Sequence, residues 1–299
     1  MPEREPPTEA INTHTRDLDL RPLLEQARLI NEEDRRVPTA VGTVIPQIAD
    51  AVARISDALR RGGRLVYIGA GTSGRLAVLD AAECPPTFGT DPRQVQAVLA
   101  GAPRSLTEAV EGAEDDERAG EREVDSRGIG PDDVVVGIAA SGATPFVLAA
   151  VRRARARRAF TIAVTCVAGS PLVSACDLAI VPVVGPEVIA GSTRLKAGTA
   201  QKLVLNMLST LTMVQLGKVY GNLMVDLRAT NEKLRRRAVR IVATAAGVPE
   251  REAAEALGRA GGRVPVAIVM IAARTTAEDA AGRLARAGGN VRRALSASS

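Results

Sequence analysis

Tryptophan is absent, and aromatic residues make up 2% of the chain, with two Tyr and three Phe in 299 residues. That scarcity disfavours a single-strand nucleic-acid binder built on aromatic stacking platforms. Histidine occurs once, at His14, which rules out a three-histidine metal centre. Its place near the amino end also argues against a Ser-His-Asp triad. Three scattered cysteines, Cys84, Cys166 and Cys176, are too few for a disulfide framework or a four-thiolate zinc site, so no metal is expected. Long hydrophobic runs are missing too: Val264 to Ala273 is about half the length that spans a bilayer. Met1 to Glu9 holds acids and prolines rather than a basic segment followed by an apolar one, so no secretory signal is expected. A cytoplasmic protein with no membrane partner follows. Neither charge sign dominates, since 39 basic and 34 acidic side chains leave +5. The two dense basic runs, Arg152 to Arg158 and Arg235 to Arg240, read as solvated helix faces, and no nucleic-acid partner is expected.

What is present is apolar periodicity. With 46% apolar residues, the length suits one large domain, or one domain plus a small appendage. Strands are predicted at Leu65 to Ile68, Val95 to Leu99, Val134 to Ala139, Thr161 to Cys166 and Leu178 to Val183. They are nearly continuous apolar runs separated by helix-forming stretches, the pattern of a parallel sheet covered on both faces. The fold class is therefore α/β, a doubly wound five-stranded parallel sheet whose ligand lies at the strands' carboxyl ends. Helical spacing precedes it over Leu18 to Asn31 and Val41 to Arg61, the second stopped by Gly62-Gly63, and a long helix is predicted from near Ala197. The last segment repeats with a period of 27 residues: Glu252-Ala253-Ala254, Leu257, Arg259-Ala260-Gly261-Gly262 and Val264 recur from Asp279 to Val291. Two copies do not make a solenoid. The expected organisation is an N-terminal helical segment at 1–63, an α/β domain at 64–230 and a small helical domain at 231–299.

The first strand runs into Gly69-Ala70-Gly71-Thr72-Ser73-Gly74, which matches the dinucleotide fingerprint in form. The second strand ends Leu99-Ala100-Gly101, without the acid that would hold a ribose, so no dinucleotide cofactor is expected. Thr72 and Ser73, with Ser141 and Thr144 in the turn Ser141-Gly142-Ala143-Thr144-Pro145, put hydroxyls at two helix starts. Free N–H groups and the helix dipole favour an anion there, and a terminal phosphate of a small molecule suits both turns. Ordinary helix capping is the plainer explanation of the same residues.

Carboxylates come next. Leu76 and Leu79 mark an inward face on the helix opening at Gly74, and Glu83 falls on that side, just before Cys84-Pro85-Pro86 is expected to stop the helix. Such a carboxylate loses solvation and suits a general acid, with Asp80 a competitor on the same face. A helix is predicted over Ser105 to Glu121, with Leu106, Ala109, Val110 and Ala113 inward; both Glu114 and Glu117 border that stripe, and periodicity does not choose between them. A third polar cluster holds Glu187, Ser192, Arg194 and Lys196, the last two able to add positive charge near an anionic substrate.

Together these residues resemble the N-acetylmuramic acid 6-phosphate etherase family, whose core is a sugar isomerase (SIS) domain related to the glucokinase regulatory protein. The resemblance rests on Ile68 to Leu76, Glu83-Cys84-Pro85-Pro86-Thr87, Val110-Glu111-Gly112-Ala113-Glu114-Asp115, Gly185-Pro186-Glu187 and Ser192 to Lys202. Asn222 to Asp226, Thr230 to Leu234, and Thr8-Glu9 with Asn12 extend it over nearly the whole chain. Two departures stand out: Ala82 where a Ser is common, and Ala143 where an Arg is common, the latter removing a guanidinium from an anion contact. The resemblance implies release of D-lactate from N-acetylmuramic acid 6-phosphate by a cytoplasmic homodimer of cell-wall sugar recycling, with no metal or organic cofactor. It also implies Glu83 and Glu114 as the catalytic pair, with Glu83 donating the proton. Two other readings of the fold are an aldose–ketose isomerase and a sugar-phosphate-sensing regulator that binds a partner protein.

Overall fold

Helical spacing at the amino end becomes three helices in the computed structural model, which describes residues 7–227 and 232–296. They are α1 (Leu23–Asp34), α2 (Arg36–Gly42) and α3 (Ile45–Arg60). Pro22 caps α1 and holds Arg21 extended, so the helix expected from Leu18 starts at Leu23, after a 3-10 turn at Leu18–Leu20. α3 buries Ile48, Ala51, Val52, Ile55 and Leu59 on one face and is followed by Gly62, at φ +87°.

The sheet follows: β1 (Leu65–Gly69), α4 (Gly71–Phe88), β2 (Val95–Leu99), α5 (Glu117–Ser126), β3 (Val134–Ile138), α6 (Pro145–Ala156), β4 (Phe160–Val164), α7 (Pro171–Ala175) and β5 (Leu178–Ile180). Its order is β2-β1-β3-β4-β5, every pair parallel. β1 and β3 are buried at every position, which explains their unbroken apolar sequences. The chain then forms α8 (Lys196–Gln215), the two-residue strands β6 (Val219–Tyr220) and β7 (Leu223–Met224), and α9 (Glu232–Ala246), α10 (Glu250–Arg259), α11 (Val264–Ala272), α12 (Ala277–Arg286) and α13 (Val291–Ser296).

Contacts divide these elements into two compact units, one running to Ala81 and resuming over Arg93–Ser209, the other made of Ala82–Pro92 and the chain from Thr210. The division passes through α4 and α8 rather than at residues 63 and 230. In the first unit Val66, Ile68, Val135, Phe146, Val147, Val151 and Leu172 belong to one core. In the second, Val242, Ala253, Ala256, Val264, Ile268, Ala280, Leu284 and Val291 form another. The 27-residue repeat is structural: α10 and α12 both run out at a Gly-Gly pair with positive φ. Gly262 N–H donates to Leu257 C=O at 2.9 Å, and Gly289 N–H to Leu284 C=O at 2.8 Å.

Two expected helix bounds are corrected. Cys84-Pro85-Pro86 does not stop α4, which runs on to Phe88: the prolines sit in its last turn, where their fixed φ fits a helix. Gly89, at φ +64°, ends it, its N–H bonded to Pro85 C=O at 2.9 Å. No helix spans Ser105 to Glu121 either. A 3-10 turn covers Arg104–Leu106, Gly112 turns the chain at φ +72°, and α5 starts afresh at Glu117, capped by Asp116 accepting from Ala119 N–H at 2.8 Å. The Arg75 guanidinium takes up the carbonyls of Ser105 and Glu108, at 2.9 and 2.8 Å, which a helix would have used internally.

Candidate functional site

Strand order places the reversal between β1 and β3, because the chain leaves β1 for β2 on one side and returns to β3 on the other. The two hydroxyl-bearing turns leave the carboxyl ends of these strands. In the first, Gly69 and Gly74 are required by close approach. A Cβ on Gly69 would lie 2.7 Å from Gly74 N, and one on Gly74 would lie 2.6 Å from Gly69 O. This brings the first turn of α4 over the end of β1, with Gly74 N–H returned to Ala70 C=O at 3.1 Å and the N–H groups ahead of it lacking an intrahelical acceptor. Thr72 is half-buried there, and Ser73 is buried with its Oγ donating to Gln201 Oε1 at 2.9 Å.

In the second turn Gly142 has φ +66°, and a Cβ on it would lie 2.1 Å from Ser170 Oγ. Ser141 Oγ accepts from Ala143 N–H at 3.2 Å. Thr144 occupies the N-cap position of α6 but makes no side-chain capping bond, so capping does not account for its hydroxyl.

The carboxylates fall differently from the periodicity reading. Leu79 is 54% exposed, and the buried face of α4 consists of Ser73, Ala77, Asp80, Ala81, Cys84 and Phe88. Glu83 is exposed. The small residues, not the leucines, mark the inward face, which corrects the desolvation argument made for Glu83. The desolvated carboxylate on this helix is Asp80, 6% exposed, which accepts from Tyr67 Oη at 3.0 Å, Asn206 Nδ2 at 2.9 Å and Ser209 Oγ at 3.0 Å. Burial pushes its carboxyl above the ordinary range, although these three donors pull the other way. Glu114 is exposed in the turns before α5, and its C=O accepts from Phe146 N–H at 2.9 Å, tying it to the start of α6 beside Thr144.

The third cluster is mostly internal. Glu187, 1% exposed, accepts from the N–H groups of Lys196 and Ala197, both at 2.9 Å, and so holds the start of α8. Burial pushes its carboxyl up, against the pull of those N–H groups and the Lys196 charge. Lys196, also 1% exposed, gives its ammonium to Glu33 Oε2 at 2.5 Å rather than to an open cleft. Burial raises Glu33, but Lys196, Asn12 and Arg36 outweigh it and hold the carboxyl below its usual range. Asn12 Nδ2 donates to Glu33 Oε2 at 2.9 Å, which gives the matching amino-terminal segment its place. Ser192 is half-buried and Arg194 exposed.

Sequence reasoning missed Arg75, Gln201 and Glu33 as supports of these turns. Only the Arg directly after Gly74 was a local signal; the other two act across more than a hundred residues. Burial pushes the Cys166 and Cys176 thiols up to about 12, so neither is a ready thiolate. Among the described residues no group of three or more His, Cys, Asp or Glu is gathered as metal ligands.

Residues 120–211 match the SIS domain, residues 47–155 the glucokinase regulatory protein N-terminal SIS domain, and residues 221–261 the C-terminal lid domain of glucokinase regulatory protein. The class is thus a SIS-domain α/β protein. The fold is like that of a putative phosphosugar isomerase involved in capsule formation from Bacteroides fragilis, with a TM-score of 0.51 and 19% identity over 67% of this chain and 95% of that one. A phosphoheptose isomerase from Neisseria gonorrhoeae gives a TM-score of 0.50 at 22% identity, over 64% and 98%. The N-acetylmuramic acid 6-phosphate etherase of Streptomyces avermitilis is 54% identical over 257 residues, 86% of this chain and 83% of that protein. That of Symbiobacterium thermophilum is 56% identical over 248 residues, 83% and 82%. The chain belongs to the N-acetylmuramic acid 6-phosphate etherase family.

Proposed function

We propose that the chain cleaves the lactyl ether of N-acetylmuramic acid 6-phosphate with water, giving N-acetylglucosamine 6-phosphate and D-lactate. The observation that carries this reading is the 54% identity to a named etherase across 86% of the chain. The two turns at the strand-order reversal support it, since the hydroxyls of both, and the helix start at the first, suit a terminal phosphate. Thr72, Ser73, Ser141 and Thr144 are the proposed phosphate contacts, with Ser192 and Arg194 nearby in sequence to α8. For Glu187 and Lys196 the proposal is now indirect: they fix the start of α8.

The chemistry needs two carboxyl groups in opposite protonation states. In the open-chain sugar the C1 aldehyde acidifies the C2 proton, and the lactyl oxygen leaves from C3. Glu114 takes the C2 proton while Glu83, as the acid, protonates the departing oxygen. Water then adds across the C2–C3 double bond of the unsaturated aldehyde, its hydroxyl going to C3 and a proton returning to C2. No metal or organic cofactor enters these steps.

The proposal includes a cytoplasmic homodimer. Leu20, Leu23 and Leu24 are 82, 80 and 62% exposed, and the one buried residue of α1 is Glu33, so this apolar side has no cover among the described residues. Among the described residues no helix is long and apolar enough to cross a membrane. The test of function is D-lactate release from N-acetylmuramic acid 6-phosphate by purified protein, with Glu83→Ala and Glu114→Ala alongside. Stoichiometric lactate from the wild type and little from either variant is expected. A folded wild type that releases none refutes the reading, and an isomerase would convert a sugar phosphate without lactate.

A further inference from the structure

Gln201 lies in the second turn of α8, 1% exposed, and its amide reaches the start of α4, where Ser73 Oγ donates to Gln201 Oε1 at 2.9 Å. Gly198, on the first turn of α8, lies against Thr72: a Cβ there would be 3.4 Å from the Thr72 methyl. The start of α8 is therefore packed on the turn that carries both candidate phosphate hydroxyls.

This arrangement leaves each partner short. A serine hydroxyl has one hydrogen, and here it goes to the amide oxygen, so Ser73 can only accept. A phosphate oxygen needs a donor. Gln201 Nε2 meanwhile carries two hydrogens, is buried, and has no hydrogen-bond partner among the described residues. A buried donor without an acceptor costs free energy. Turning the amide over about its last torsion exchanges oxygen and nitrogen at nearly the same positions. Nε2 then donates to Ser73 Oγ and the Ser73 hydrogen is released, while Oε1 takes the partnerless position, so the number of unpaired buried atoms is the same in both orientations and the phosphate contact decides between them.

We propose that Gln201 is a positioning residue of the anion turn, holding the Ser73 oxygen through its amide N–H so that the Ser73 hydrogen donates to a phosphate oxygen of the substrate. The inference rests on the sugar-phosphate reading above and deepens it. It explains why an amide suits this buried position better than a carboxylate. A Glu would keep the acceptor that faces Ser73 but could never return a donor, and would fix the Ser73 hydrogen on itself.

Calorimetric titration with N-acetylglucosamine 6-phosphate tests this, using the wild type, Gln201→Glu, Gln201→Met, Ser73→Ala and the double variant Ser73→Ala with Gln201→Met. Unphosphorylated N-acetylglucosamine serves as control, and melting curves verify folding. Loss of one charge-assisted donor predicts a Kd raised roughly tenfold to a hundredfold in Gln201→Glu, whereas Gln201→Met leaves the Ser73 hydroxyl able to donate but no longer held, and raises Kd by roughly threefold to tenfold. Because Gln201 acts through Ser73, Gln201→Met in the Ser73→Ala background adds less than about twofold. If Gln201→Glu folds and binds like the wild type, or if the Gln201→Met effect persists in full without the Ser73 hydroxyl, Gln201 is only a packing residue. Either result leaves the sugar-phosphate reading intact, whereas a wild type that does not bind the phosphorylated sugar overturns both. Should Gln201→Glu not fold, the Met variant and its double-mutant cycle decide alone.

Discussion

Removing the Lys196 ammonium tests whether that residue belongs to the interior or to the substrate. Its side chain is 1% exposed and that of Glu33 3%. Breaking such a buried pair by deleting one partner costs about 3–5 kcal/mol, most of it the charge left behind. Glu33 would retain Asn12 at 2.9 Å, which offsets part of the loss, with Arg36, which is 55% exposed and screened by water. The lower end, about 3 kcal/mol, is therefore expected for Lys196→Met, which preserves the aliphatic stem and its packing. Glu33→Gln strands the ammonium instead and should cost about as much. The double variant leaves no stranded charge, and the introduced amide can still accept from Asn12, so it should come within about 1 kcal/mol of the wild type. Urea unfolding followed by far-UV circular dichroism gives the three values, and lactate kinetics on the same samples give KM. A loss below about 1 kcal/mol for Lys196→Met, together with a tenfold rise in KM, would refute the reasoning. It would return Lys196 to the role of a substrate cation.

Three further outcomes are expected. Glu83→Gln and Glu114→Gln should lower kcat by roughly 10²–10⁴-fold in the lactate assay with melting temperatures nearly unchanged, because both side chains are exposed; a large drop in melting temperature would mark them as structural. Gly74→Ala forces a Cβ to within 2.6 Å of Gly69 O and should cost about 1–3 kcal/mol in thermal unfolding; an unchanged melt would mean that the turn yields freely. Glu33 has a lowered folded pKa, so its contribution is present above the unfolded value of about 4.3 and is lost as pH falls through the folded value. Asp80 has a raised one, so its contribution is complete below about 3.9 and fades as pH rises through the folded value. Urea midpoints at pH 3, 5 and 7 should therefore show Glu33→Gln costing most at pH 7 and Asp80→Asn costing most at pH 3, and the reverse order would contradict the assigned environments.

The sheet was legible because β1 and β3 are buried on both faces, and a strand in that setting needs an unbroken apolar run, shorter than the apolar run that forms α11. The glycine-hydroxyl turns were legible for a local reason as well, since Gly69 and Gly74 answer to atoms five residues away. The stretch around Glu114 was not. Its apolar spacing fits a helix, but Arg75 takes the carbonyls that a helix would need, and that contact spans about thirty residues. Leucine spacing misplaces Glu83, because the buried face of α4 runs through Ala77, Ala81 and Cys84 while Leu79 is exposed. Close packing favours small residues on the buried side, so side-chain size does not report burial on this helix.

The third polar cluster shows how a correct choice of residues can carry the wrong role. Charge near an anion singles out Glu187 and Lys196 in the sequence, yet each is buried and satisfied within the chain. Their effect reaches the candidate site through α8. The Glu187 carboxylate takes the first N–H groups of that helix, the Lys196–Glu33 pair anchors the same turn to α1, and Gln201, just over one turn further on, grips Ser73. Asn12, donating to Glu33, brings the amino-terminal segment into the same chain of contacts. An error in the angle or register of α8 would displace the Gln201 amide from Ser73 directly. The buried ions are therefore best understood as the fixed end of a lever whose working end is a single amide at the start of α4.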